Sequence, residues 1–229
     1  MWQLETAANL RGLFPNKFIP YTDALQEAGY HVGYIDNGCR PLKIKGRHNP
    51  AGTRYKTFSD FMSKRPAGKP FCFWFGSYDA HRPYEKGSGV GSGMDPDKVI
   101  VPACLPDTHI VRKDMCDYYF EVQRFDRRLG EMIDFIEENG EIDNTMVVIS
   151  GDNGQPFPRC KVELYDTGTH VPLAIAWPAG IKGGRVVDDF VSLASNPEYA
   201  VIKRKLTVAF EVEFTATYNP VALGIPPRP

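Results

Sequence analysis

Thr145–Pro178 reads TMVVISGDNGQPFPRCKVELYDTGTHVPLAIAWP, and its reading decides the fold. Met146–Ile149 is an apolar, β-branched run of strand length. It stops at Ser150-Gly151-Asp152-Asn153-Gly154, where two oxygen-bearing side chains stand between glycines. A polar loop with Lys161, Tyr165 and His170 follows, and a second apolar run, Val171–Trp177, closes the unit. The pattern predicts two buried strands with a loop at a strand's carboxyl end, a common site position in α/β proteins. An Asp carboxylate and an Asn carbonyl are hard oxygen ligands, suited to Ca²⁺ or Mg²⁺ rather than to a soft metal. Asp-Asn-Gly is equally an ordinary turn sequence, so the residues alone leave both readings open.

Upstream, Val111–Asn139 predicts a long helix. Met115, Tyr118, Val122, Phe125, Leu129, Met132 and Ile136 recur at spacings of three and four, which makes one apolar stripe. Asp117, Arg124, Asp126, Arg127 and Arg128 lie off that stripe and read as solvated, and Gly140 reads as the stop. Phe71–Phe75 is apolar without alternation, as in a strand covered on both faces. Tyr21–Ala28 reads as a helix with an Asp23/Gln26 capping box and a stop at Gly29, followed by a strand over Tyr30–Ile35. Lys43–Gly68 is basic and reads as solvated surface, with a short helix at Thr57–Ser63. Glu85–Thr108 reads as a long irregular loop. Arg185–Leu193 reads as a strand. A further strand is predicted where Leu206, Val208, Phe210, Val212 and Phe214 alternate with more polar residues.

The 229 residues carry a net charge of −1, which recommends neither nucleic acid nor an anionic membrane as a partner. No apolar run approaches the roughly 20 residues of a membrane span. Five cysteines without CxxC spacing argue against a disulfide framework and against a zinc site.

Ser150-Gly151-Asp152-Asn153-Gly154 after a strand, then Lys161-x-x-x-Tyr165-x-x-Gly168 and Pro172, resembles the sulfatase family. The resemblance runs over most of residues 18 to 192. It implies an α/β fold of the alkaline-phosphatase-like kind: an incomplete three-layer sandwich with helices on both faces of a mostly parallel or mixed sheet. It implies a partial catalytic domain over residues 1–193 and a divergent tail over 194–229. The implied activity is hydrolysis of a sulfate ester or sulfamate, on a sulfated small molecule or glycan. Asp152 and Asn153 become ligands of Ca²⁺ (or Mg²⁺), Lys161 a sulfate contact, and His170 a weaker substrate contact. His81 lies in Asp79-Ala80-His81-Arg82-Pro83, where relatives carry Pro-His-x-Pro. It becomes a sulfate contact and the acid for the leaving oxygen, although Ala80 replaces the first Pro.

The chain departs from the family pattern in three places. Asn37 stands where a sulfate-contacting Lys is expected, and a neutral amide cannot supply its charge. Cys39-Arg40-Pro41-Leu42-Lys43 imitates the family's Cys-x-Pro-x-Arg, whose Cys becomes the formylglycine nucleophile, but Lys43 replaces Arg and the segment follows the wrong strand. The formylglycine segment and the family's two metal-binding aspartates of the first strand are expected ahead of Met1. Relatives are often periplasmic, secreted or lysosomal, whereas Met1-Trp2-Gln3-Leu4-Glu5 has no signal-peptide character and reads as mid-protein. The chain alone is therefore expected to hold metal weakly and not to turn over. Two alternatives stand beside this reading: a non-catalytic sulfatase-like binding module, and a phosphoester hydrolase of the same superfamily.

Overall fold

A computed structural model describes residues 12–39 and 43–184, together with Val201 and Arg204. The chain divides into two compact units, Thr6–Gly183 and Met1–Glu5 with Gly184–Pro229. In the second, Val201 and Arg204 are helical and exposed. The strands predicted at 185–193 and 206–214 lie outside the described residues, as does Arg40.

The first unit is α/β. Helix α1 (Tyr21–Glu27) leads into strand β1 (His31–Asp36), which is flanked in parallel by β2 (Thr53–Arg54) and β3 (Phe71–Gly76). The β1–β3 register runs from His31 opposite Phe71 to Asp36 opposite Gly76, so both strands end together. Helix α2 (Phe58–Ser63) is started by Thr57, whose hydroxyl accepts from the Asp60 N–H at 3.0 Å. Phe58, Phe61 and Met62 bury one face of it against Phe71 and Phe73 of β3 and against Met132, Phe135 and Ile136.

Those last three residues belong to α4 (His109–Glu138), the helix predicted from the apolar stripe, which Gly140 (φ +69°) ends. Near its start, Met115 and Cys116 pack with Val99, Phe157 and Cys160 in a second core cluster. One helix thus joins the sheet to the loop that follows Asp152-Asn153. That loop lies between β4 (Val147–Ser150) and β5 (Leu173–Ala176), an antiparallel pair, and carries the single turn α5 (Asp166–Thr169).

Six expectations are corrected. The apolar runs around β4 and β5 are not buried: Val148 is 55% and Leu173 65% exposed, because a two-stranded ribbon leaves its faces uncovered among the described residues. Trp74 of β3 is likewise exposed. Asp23 caps nothing; α1 starts after Pro20 without a side-chain cap, and Asp23 instead pairs with Arg47 and His48. The charges off the α4 stripe are not simply solvated. Asp117 and Glu121 are buried, and Arg124 and Arg128 are paired across to the strand ends. Arg47 and Arg65, in the segment read as solvated, are also largely covered and paired, Arg65 with Glu141. Finally, Glu85–Thr108 contains the short helix α3 (Ser88–Gly91) and a 3₁₀ turn at Pro96–Lys98. The order of α3 comes from Asp117, whose carboxylate accepts the Gly87 and Gly89 N–H groups at 2.9 Å each.

Candidate active site

The site is built from loops at the carboxyl ends of β1, β3 and β4. At β1, the Asn37 N–H donates to the Gly76 carbonyl (2.7 Å), and Trp74 Nε1 donates to the Asn37 carbonyl (3.0 Å). Asn37 is thereby fastened beside the end of β3, with its Oδ1 buried and without a hydrogen-bond partner. Next to it, Cys39 is half-buried. Burial pushes its thiol above the ordinary range, which leaves it a poor nucleophile.

At the end of β3, two arginines one turn apart on α4 secure the loop. Arg124 Nη2 lies 3.2 Å from Asp79 Oδ1, while Arg128 reaches Asp36 Oδ2 at 2.6 Å and stacks over the Phe75 ring. The Asp79 side chain is 6% exposed, and a carboxylate so covered requires that pairing. Two residues on, His81 is exposed. Its backbone N–H donates to the Tyr78 carbonyl (3.0 Å), and its Nδ1 is in hydrogen-bond contact with the Arg82 carbonyl.

After β4, Asp152 is exposed and Asn153 half-buried, with Asn153 Nδ2 donating to the Gly154 carbonyl at 2.8 Å. The amide oxygen of Asn153 and the carboxylate of Asp152 remain as hard donors. Gly154 sits where no side chain fits. A Cβ there would stand 1.9 Å from the Thr167 carbonyl oxygen, and one on Gly168 would stand 2.2 Å from that of Cys160. These two approaches fold the loop back on itself, with the Gly154 N–H donating to the Gly168 carbonyl at 3.0 Å. Lys161 is half-buried within that fold, and its N–H donates to the Gln155 carbonyl. His170 follows α5, with Nδ1 3.5 Å from Asp166 Oδ1.

The β3 and β4 loops meet through Arg82, which sequence reasoning did not single out. Its Nε donates to the Pro156 carbonyl (3.1 Å), and its Nη1 and Nη2 form a two-pronged pair with Asp114 of α4. The Tyr84 and Phe157 rings lie 4.6 and 5.0 Å from its guanidinium carbon. Burial, only partly opposed by Arg82, pushes the Tyr84 hydroxyl up to about 12. The structure thus ties the loop of His81 to the loop of Asp152, Asn153 and Lys161. No hydrogen bond or ion pair joins those four side chains directly among the described residues. Nothing in the sequence marks Arg82 or Asp114, because their pairing spans 32 positions.

The model of the sulfatase family matches residues 50–199, which include both loops and α4. The chain belongs to the sulfatase family. Over 137 residues it is 32% identical to human N-sulphoglucosamine sulphohydrolase, a match that covers 56% of this chain and 26% of that protein. It is 35% identical to the ulvan-active sulfatase of Formosa agariphila over 81 residues, 35% of this chain and 14% of the relative. It is 32% identical to the N-acetylglucosamine-6-O-sulfatase of Bacteroides thetaiotaomicron over 74 residues, 31% of this chain and 13% of the relative. The matched part is therefore about a quarter or less of each of these sulfatases.

Asp152 and Asn153 fit a divalent ion in kind but not in number. Ca²⁺ takes about six to eight oxygen ligands, and no group of three or more His, Cys, Asp and Glu able to hold a metal occurs among the described residues. No helix among them is long and apolar enough to cross a membrane.

Proposed function

We propose that this chain carries the metal-facing and sulfate-facing part of an active site that hydrolyses sulfate esters or sulfamates on sulfated sugars. The observation that supports it most is the Arg82 bridge, which brings the His81 loop against the Asp152–Lys161 loop. The names of the relatives support the sugar: two of them name a glucosamine.

Each residue then has a defined task. Lys161 supplies a positive charge to the sulfate oxygens. His81 donates to the same anion and gives a proton to the leaving oxygen, a role that suits imidazole. His170 lies at the rim of the same loop and meets the sugar. Asp152 and Asn153 would hold Ca²⁺ or Mg²⁺ as part of a larger oxygen set. When bound, that ion supplies Lewis-acid polarisation of the sulfate oxygens. The 229 residues contain no Cys-x-Pro-x-Arg, and Cys39 is a protonated, half-buried thiol. The nucleophile must come from elsewhere, so the chain alone does not turn over.

Calorimetric titration with Ca²⁺ tests the metal assignment. Binding is expected to be weaker than micromolar and to disappear in Asp152→Ala. A micromolar site, or one indifferent to Asp152→Ala, would refute it. A binding module without chemistry is the second reading, favoured by Asn37, whose neutral side chain replaces a cation and points into the protein. Position 37 is tested by one measurement: Asn37→Lys tightens binding of a sulfated glucosamine if the position faces the anion, and leaves it unchanged otherwise.

A further inference from the structure

We infer that Arg82 is a positioning residue, which fixes His81 relative to Lys161 by clamping the β3 loop onto both α4 and the β4–β5 loop. This rests on the reading above, in which His81 and Lys161 face one anion.

Arg82 follows His81 directly in the chain, and His81 Nδ1 contacts the Arg82 carbonyl, so a shift of the Arg82 backbone moves the imidazole. Three anchors oppose such a shift. The Asp114 carboxylate takes both Nη groups, the Pro156 carbonyl takes Nε, and the Tyr84 and Phe157 rings lie against the guanidinium. The far ends of these anchors are themselves fixed. Asp114 lies beside Met115, which is 1% exposed, and Phe157 is packed with Met115, Cys116 and Cys160. Phe157 and Pro156 belong to the loop that returns through Gln155, whose carbonyl accepts the Lys161 N–H. A continuous path of bonded groups therefore runs from His81 to Lys161 with Arg82 at its middle.

An alternative task for a cleft arginine is to bind the anion itself. The geometry opposes it: Nε, Nη1 and Nη2 are all engaged within the protein, and Asp114 neutralises the charge. Arg82 and Asp114 side chains are 40% and 39% exposed, and an ion pair that open adds little to stability. Planarity is what the site uses. A lysine ammonium cannot span a carboxylate and a carbonyl while lying against two rings.

The test is NMR titration of the full chain with inorganic sulfate, following the His81 ring and the Lys161 side chain. In the wild-type chain both respond with one dissociation constant. In R82K, which keeps the charge, and in D114N, which keeps the shape, affinity falls about tenfold and the His81 response separates from that of Lys161, as expected when contacting groups are displaced. The thermal midpoint of each variant is recorded alongside, and R82K is expected to melt close to the wild type. Equal affinity and a joint response in R82K would overturn the positioning role while leaving the sulfate site intact. A wild-type chain in which only one of the two residues responds would overturn the site reading itself, and the positioning role with it.

Discussion

Glu121 is 7% exposed on α4 and faces Asp79 and Arg124, with Arg128 on the far side of Asp79. Burial first, and its hydrogen bond to Asp79 second, hold its carboxyl above the ordinary range. Folding thus favours the protonated form, so this group stabilises most below the unfolded value, near 4.5, and its contribution declines as pH rises above it. Glu121→Gln keeps a donor for Asp79 and carries no charge. The variant is expected to gain thermal stability relative to the wild type as pH rises from about 4 to about 8. Glu141 runs the other way. Arg65 holds its carboxyl below the ordinary range, so its stabilisation is present above the unfolded value and lost as pH falls through the folded one. Its side chain is 35% exposed, which limits the loss in Glu141→Gln at neutral pH to about 0.5–1 kcal/mol. Denaturant midpoints at neutral and acid pH check both: relative to the wild type, Glu121→Gln should rise and Glu141→Gln should fall as pH goes from acid to neutral. Neither pairing was legible in the sequence. Arg65 and Glu141 lie 76 positions apart, and no local rule joins them. Asp152, Asn153, Lys161 and His81 were legible as candidates because each sits in a short motif.

At the scale of the element, α4 shows where periodicity informs and where it stops. Its apolar stripe was read from spacing alone, and Met115 and Ile136 are buried as that spacing requires. The spacing says nothing of the row bordering it, where Asp114, Asp117, Glu121, Arg124 and Arg128 each hold a loop or strand end. A charged residue on a helix reads as solvated until the chain's return brings a partner to it. Asp117 makes the point measurable, since its carboxylate is what α3 folds around. Asp117→Ala leaves two N–H groups without an acceptor and is expected to cost about 1–3 kcal/mol. Hydrogen exchange at Gly87 and Gly89 should speed up in that variant, while exchange in β1 and β3 stays slow. Uniform acceleration across the unit would mean that α3 is ordered by something other than Asp117.

At the scale of the whole chain, the order of the described elements was legible through the sulfatase resemblance, but the burial of β4 and β5 was not. An apolar run is read as buried because it is apolar. Whether anything covers it depends on what packs there, and β4 and β5 pair only with each other among the described residues. Met146, Val148, Leu173 and Ile175 are each about half exposed or more, and Val148 stands opposite Ile175 across the ribbon. Among the described residues this ribbon has an open apolar face and free edges, and such a ribbon is a template for association. Sedimentation velocity at rising concentration is expected to show self-association of this chain. The double variant Val148→Lys/Ile175→Glu sets opposite charges across the strand pair, which keeps the pairing favourable while making the face polar. It should remain monomeric where the wild type associates. Unchanged hydrogen exchange in β4 would show that the ribbon itself survived the change. A wild-type chain that stays monomeric throughout would show that this face attracts no second copy.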